Sequence, residues 1–520
     1  MALTDTRPES GTDATSVAPS VVPSPLTIFG SGDHKAVGTF YVLAALVFGI
    51  AGWIATALAS AHIVGSGSFL SETAGTQLLQ TSKIGLILLV IVPLFLGIAT
   101  YIVPLQVGAS TVAFPRAAAA AMWTWLLSSG VFVVASFIEG GFGGERAKSV
   151  SLTLLALGGL IVALLLGTVS VLTTAITLRT PGMTLDRVPM FTFSMLVGGA
   201  IWMLTLPVLF ANLLLIWVDH RYGGGTVFGE ASSQFGQVSW ITHQPQIYAF
   251  LIPGLGIVAD VVATLTGARL GKRNLLLTAI GAFGVLSVGA WAQPAIFPSV
   301  SEDLFWQAMG LLILLPLLLL LGGIAAAFKD GKPSLKSPLG LAVVSIVLTI
   351  LGVFAGALLV ITPLELRTTN FFADGQAILV LGAALAAGAA GIGYWGPKMT
   401  GGHLADGIGK LNVLVMLGGG ILGGVSLCVV GFSTRFTGLS GAQDTLVVIS
   451  VLGSALFAIG CVLVILGLAS GARKGAPEAG DDAWGTGQTL EWACPSPPPT
   501  GNFGELAVVR SPEPLLDKEA

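Results

Sequence analysis

The sequence predicts an all-α integral membrane protein, a bundle of twelve transmembrane helices, from three observations. Charged residues make up 9% of the 520, against about 25% in ordinary soluble chains. Hydrophobic residues make up 54%, and the mean hydropathy is +0.90. Apolar stretches long enough to cross a hydrocarbon core of about 30 Å as a helix recur twelve times along the chain. The same composition excludes other classes. With 23 Lys and Arg against 26 Asp and Glu, the chain has no basic footprint for nucleic acid. Cys428, Cys461 and Cys494, odd in number and far apart, make neither a disulfide framework nor a paired metal motif.

Residues 1–30, rich in Ser, Thr, Pro and small side chains, contain no run long enough for a signal-peptide core and read as a disordered cytoplasmic tail. A membrane domain over 31–474 follows. Its expected spans are 39–64, 83–106, 119–139, 151–176, 190–218, 243–267, 273–298, 303–328, 338–363, 372–396, 411–434 and 445–471. Seventy glycines are scattered through the chain, and in membrane helices this favours close backbone packing. Residues 475–520 are Pro-rich and polar and form a second cytoplasmic tail. Most Lys and Arg, such as Lys272, Arg273, Lys329, Lys332, Lys336, Arg473 and Lys474, fall in the termini and in the loops on their side. Because Lys and Arg are retained in the cytoplasm, both ends are expected there.

Five segments, in order, resemble subunit I of the haem-copper oxidases, the cytochrome c oxidase family. GDHKAVGTFY (Gly32 to Tyr41) is similar to the family's D-H-K-x-I-G-x-x-Y, and YIVPLQVGASTVAFPR (Tyr101 to Arg116) to W-L-V-P-L-x-I-G-A-x-D-M-A-F-P-R. WITHQPQIYAFLIPGLGIVADVV (Trp240 to Val262) resembles the sixth helix, and GYWGPKMTG (Gly393 to Gly401) the turn after the tenth. AWGTGQTLEWACPSPPPTGNF (Ala483 to Phe503) is similar to the bacterial cytoplasmic tail. The resemblance implies a location in the bacterial plasma membrane, subunit II-like and subunit III-like neighbours in the lipid bilayer, and a site of two haems and one copper on six histidines.

This chain has five histidines in all: His34, His62, His220, His243 and His403. The resemblance places the haem ligand of the second helix at Ser82 and those of the tenth at Gly375 and Ala377. The copper ligands fall on Gln244, Gln293 and Pro294. Hydroxyls, amides and hydrogens are poor donors where iron or copper wants an imidazole nitrogen, so no haem or copper is expected. Related losses follow the same pattern. Thr111 stands at the acidic mouth of one proton channel, Ala118 and Ala119 replace an Asn pair, and Gln246 replaces a glutamate. No Lys lies between Trp306 and Phe328 for the second channel, and Asp444 and Thr445 stand where an Arg pair would hold haem propionates. The residues that shape the sixth helix, Trp240, Pro245, Pro253 and Gly254, remain.

Tyr248 is expected to be a core aromatic with one hydrogen bond. His243 lies one residue from a copper position and is expected to be structural. His243, Gln244, Gln246, Tyr248, Asp260 and Gln293 are the candidates for a polar cavity where the metals would be. Asp260 and Asp374, acids at or near membrane depth, are candidates for ion passage or for helix-end pairing, Asp260 toward Arg269, Lys272 and Arg273. The leucines of Leu311 to Leu321 are expected to fill vacated space, since large voids are costly. Three functions are open: a cofactor-free structural or regulatory subunit, an active terminal oxidase, and a transporter using a Gln-lined space.

Overall fold

A computed structural model describes residues 31–64, 70–138, 140–142, 144, 146–228, 231–293, 304–366, 370–436, 440–504, 506 and 508–517. The expected N-terminal tail over 1–30 and Pro294 lie outside them. Among the described residues every regular element is a helix, and the one isolated extended pairing joins Gly402 to Glu478. In chain order the helices are α1 (His34–Val64), α2 (Glu72–Gly85), α3 (Val92–Val107), α4 (Pro115–Phe137), α5 (Ala147–Thr177), α6 (Met190–Tyr222), α7 (Ala231–Val238), α8 (Ile252–Thr266), α9 (Arg273–Leu286), α10 (Leu304–Leu312), α11 (Leu314–Asp330), α12 (Ser337–Leu359), α13 (Asn370–Thr400), α14 (Asp406–Gly419), α15 (Ser426–Phe436) and α16 (Ser440–Ala472).

Ten helical stretches among the described residues are long and apolar enough to cross a membrane. Two expected spans are shorter as α-helix. The stretch at 243–267 opens with the 3₁₀ turn Gln246–Phe250 and becomes α8 at Ile252, just before Pro253. The stretch at 273–298 ends as α-helix at Leu286. Proline explains another irregularity: between α2 and α3, residues Leu86–Ile91 form a π turn closed by the Val92 amide on the Ile87 carbonyl. The following Pro93 has no N–H to give, and the wider turn absorbs the broken register.

Two segments form the interior. The most apolar window of Ala74–Val107 is 100% buried and that of Asn370–Thr400 is 89% buried, so α3, the turn before it and α13 are enclosed by the others, while much of α2 is half-buried. Glycine permits the closest approaches. A Cβ at Gly38 would lie 2.7 Å from the Gly97 carbonyl oxygen, so α1 and α3 meet backbone to backbone. The leucine run corrects the expectation only in part: Leu317 and Leu320 are buried in the core, whereas Leu311, Leu312, Leu315, Leu318 and Leu319 are exposed, on a face that turns outward because lipid accepts leucine as readily as a core does. Interior space is also filled by Phe95, Leu385 and the ring pair Trp53 and Phe457, whose centroids are 4.4 Å apart.

The tail after α16 is packed against the ends of the helices. Trp492, Glu491 and Asn502 are buried, and Gln488 donates to the Ala263 and Ala268 carbonyls at the end of α8. That end of the bundle is the tail side below.

Gly375 gives a direct test of the packing. A Cβ there would sit 2.6 Å from the Gly424 carbonyl oxygen and 2.7 Å from the Cys428 amide, both backbone atoms that cannot swing away. Gly375→Ala is expected to lower stability by about 1–3 kcal/mol through overpacking, whereas Ala377→Ser, at a half-buried position, leaves the melting temperature of the detergent-purified protein unchanged.

Candidate functional site

Two polar networks cross the apolar interior, one toward each end of α13. Hydrocarbon offers no hydrogen-bond partners, so each buried polar group must find one within the protein.

At the end far from the tail, Lys83 Nζ on α2 lies 2.6 Å from Asp374 Oδ1 on α13, with both side chains about four-fifths buried. Lys83 follows the ligand position Ser82, and Asp374 precedes the ligand position Gly375. The ion pair therefore ties together the same two segments, at the same level, that the haem ligands of the resemblance would. Ser82 turns its hydroxyl onto the Leu79 carbonyl of its own helix, at 3.0 Å. His243 lies close enough to Lys83 and Asp374 to feel their charges, and its Nδ1 is 2.7 Å from the Ser239 carbonyl oxygen.

Deeper in, Gln376 Nε2 donates to the Tyr248 hydroxyl at 3.1 Å, and that hydroxyl donates to Gln244 Oε1 at 3.0 Å. Gln244 Nε2 then donates to the Gly356 carbonyl oxygen of α12 at 2.9 Å. Tyr248 thus makes two hydrogen bonds where one was expected. Gln376 stands between Gly375 and Ala377, so this amide and phenol chain runs through the space between the tenth-helix ligand positions and the first copper position. Gly356 abuts both Tyr248 and Gln244, and any larger residue would collide with them.

The other candidates take separate partners. Gln246 donates to Thr205 Oγ1 at 3.1 Å and accepts from the Gly289 amide at 2.8 Å. Gln293 accepts from Asn212 Nδ2 at 2.9 Å and donates to the Ala290 carbonyl at 2.6 Å. Asp260, eight residues into α8 from Ile252, is roughly 12 Å along the helix from its start and belongs to the tail-side network. Asp444 and Thr445 are exposed on α16. Among the described residues no three His, Cys, Asp or Glu side chains gather closely enough to hold a metal ion.

At the tail side, the Asp260 carboxylate accepts from the Met190 and Phe191 amides, each at 3.0 Å. These are the first two amides of α6, which its own residues cannot satisfy, so a residue of α8 caps α6. Gln106 on α3 donates through Nε2 to both Asp260 Oδ2 at 3.2 Å and Glu491 Oε1 at 3.0 Å, and its Oε1 accepts from Thr192 at 2.7 Å. Trp395 Nε1 also donates to Glu491 Oε1, at 3.2 Å. Arg273, one of the expected partners of Asp260, spends its guanidinium on the Asp186 and Val188 carbonyls. Lys398, fully buried, donates to the Asp481 and Cys494 carbonyls of the tail at 2.7 and 2.6 Å. Gln106, Glu491, Lys83 and Gln376 were not singled out from the sequence. A usable signal existed for Glu491, which lies in the tail motif TLEW, and for Lys83, the cation beside a lost ligand.

The donor set at the ligand positions is a hydroxyl, a hydrogen, a methyl and two amides whose oxygens and nitrogens are already engaged. It does not fit haem iron or copper, which need a free nitrogen or sulfur lone pair.

Two measurements follow from this geometry. Removing either partner of the Lys83 and Asp374 pair strands the other at partial burial, so Lys83→Ala and Asp374→Ala each cost about 1–3 kcal/mol. The double variant costs less than the two together, as a double-mutant cycle in thermal melts reads directly. At the tail, burial pushes the Glu491 carboxyl above the ordinary glutamate range. A carboxyl with a raised folded-state pKa holds its proton more tightly when docked, so docking weakens as pH climbs from the ordinary glutamate range through the raised value. Proteolysis of residues 475–517 is expected to quicken over that climb and to become independent of pH in Glu491→Gln.

The description "Cytochrome C and Quinol oxidase polypeptide I" belongs to the family model that matches residues 36–474. The probable cytochrome c oxidase subunit 1-beta of Nocardia farcinica is 29% identical over 517 residues, covering 93% of this chain and 87% of the relative. The probable cytochrome c oxidase subunit 1-alpha of Streptomyces avermitilis is 28% identical, with 93% and 88% covered. Cytochrome c oxidase subunit 1 of Corynebacterium efficiens is 27% identical, with 93% and 88% covered. The match takes in the interior helices and both polar networks up to Lys398, and on it the chain belongs to the family of cytochrome c and quinol oxidase polypeptide I.

Proposed function

We propose that this chain is a cofactor-free member of its family, a structural or regulatory membrane subunit of a respiratory-type complex. The observation that carries the reading is the Lys83 and Asp374 ion pair, which joins the two interior segments beside the positions where a relative's haem would be held. The amide and phenol chain of Gln376, Tyr248 and Gln244 supports it, because it takes up the donors and the room that a metal site would need.

In this reading all twelve apolar stretches cross the membrane, with α8 and α9 serving as the sixth and seventh. Residues 31–474 form the membrane domain, the two tails lie in the cytoplasm, and the membrane is the plasma membrane of a bacterium. The partners are subunit II-like and subunit III-like proteins and the surrounding lipid, with no nucleic acid. Ser82, Gly375, Ala377, Gln244, Gln293 and Pro294 are degenerate ligand positions. His243, Gln246 and Asp260 serve as structural polar groups, each bound to its own neighbours.

The names of the relatives favour a second reading, in which the chain is an active oxidase subunit that passes electrons to oxygen. A visible spectrum and metal analysis of the membrane-extracted protein separate the two. The first expects no haem absorbance and less than stoichiometric copper. A haem band with one copper per chain would establish the second.

A further inference from the structure

Two adjoining cavities on the tail side are unassigned. One, of about 310 Å³, is a slot among α12, α13, α14 and α16 lined by Leu341, Ile392, Leu463 and Val464. The other, of about 640 Å³, opens beside it under the loop from Asp330 to Lys336, and the two share Lys336, His403 and Trp484. Both volumes fall in the range of small-ligand sites.

The charge around this double cavity is uneven. Asp406, at the start of α14, accepts from the Ser337 amide at 2.8 Å and pairs with Lys410 at 2.9 Å, so its charge is already answered. Lys336 in both cavities and Lys332 in the outer one have no side-chain partner among the described residues; Asp330 also lines the outer cavity, and Asp482, next to the lining residues Ala483 and Trp484, is engaged by the Trp484 and Gly487 amides. The mouth therefore offers two unpartnered lysine ammonium groups, and the slot behind it is apolar. Inside the slot, Asn412 is 2% exposed, and its carboxamide oxygen has no hydrogen-bond partner. Asn412 lies six residues into α14 from Asp406, roughly 9 Å below the mouth. An unpaired polar group at such a depth is costly unless something enters to satisfy it.

We propose that this double cavity binds one anionic glycerophospholipid from the tail-side leaflet. Its phosphate meets Lys332 and Lys336, whose long stems reach from the loop to the headgroup level. One acyl chain follows the apolar slot. Asn412 bonds a hydroxyl or, with its amide turned, an ester carbonyl of the glycerol region, since a carboxamide presents both a donor and an acceptor. The order of groups along the site, cation then amide then apolar wall, matches the order along such a lipid. The inference does not depend on whether the chain carries haem, so its failure leaves the functional reading untouched.

Native mass spectrometry of the detergent-purified chain tests it, with phosphatidylglycerol and phosphatidylcholine added in equal amount. The expected result is one phosphatidylglycerol retained per chain in preference to phosphatidylcholine. Lys332→Glu with Lys336→Glu reduces that retention about tenfold or more, without changing the lipid-free melting temperature. Leu463→Trp, which fills the slot, reduces it as well. Equal retention of the two lipids, or retention unchanged in the lysine double variant, overturns the proposal. So does displacement of the lipid by millimolar inorganic phosphate, which would mark a small-anion site. Should Leu463→Trp not fold, the lysine variant and the phosphate competition still decide the matter.

Discussion

The ion pair between Lys83 and Asp374 sets the geometry on which the interior depends. It joins the two segments whose apolar stretches are the most enclosed among the described residues. Desolvating two charges is expensive, and the expense is recovered only when the partner is held at hydrogen-bond distance, as 2.6 Å provides. An ion pair in this place is directional. It fixes both the rotation of α13 and its height against α2, and those settings place Gln376 opposite Tyr248. The neutral chain from Gln376 to Gly356 then extends the same alignment to α12 without further charge.

The tail-side network solves the converse problem. Two carboxylates, Asp260 and Glu491, are buried within reach of one carboxamide, and each would repel the other without it. Gln106 is suited to the place because its two N–H groups can serve both acids while its oxygen takes the Thr192 hydroxyl. A lysine would bring charge but no acceptor for Thr192. Asp260 draws further support from the start of α6, whose free amides carry the positive end of the helix dipole. The result fastens four helices and the C-terminal tail at one point, and Lys398 secures the tail again through two of its carbonyls.

Much of the fold was legible in the sequence because long apolar runs carry their own signal. The spans at 39–64, 151–176 and 338–363 reappear as α1, α5 and α12 with ends shifted by a few residues. The run from Leu311 to Leu321 was only half legible for a physical reason: hydropathy does not distinguish leucine facing lipid, such as Leu318, from leucine facing a core, such as Leu320. That Ser82, Gly375 and Gln244 stand where the resemblance expects imidazoles could be read position by position from the sequence. The polar networks could not. Gln106 lies 154 positions from Asp260 and 385 from Glu491, so that network exists only in three dimensions. The capping role of Asp260 was equally hidden, because its partners are backbone amides, which every residue possesses.

Chemistry and architecture need not be lost together in a helical membrane protein. A haem in this fold would contribute two kinds of energy: metal bonds that cross-link helices, and a large apolar disc that fills space. Cross-linking can be replaced by an ion pair of adjacent residues, since the ligand positions already bring the right backbone segments into register. Filling can be replaced by rings such as Trp53 and Phe457, and by glycine where helices close up, as α13 and the Gly420–Val425 turn do at Gly375. Once Gly375 has allowed that approach, an imidazole at the position would strike the backbone of the neighbouring segment. In the cofactor-free reading proposed above, this closed packing works against haem: a single His placed at Gly375 would have neither the space nor the partner ligands to hold iron.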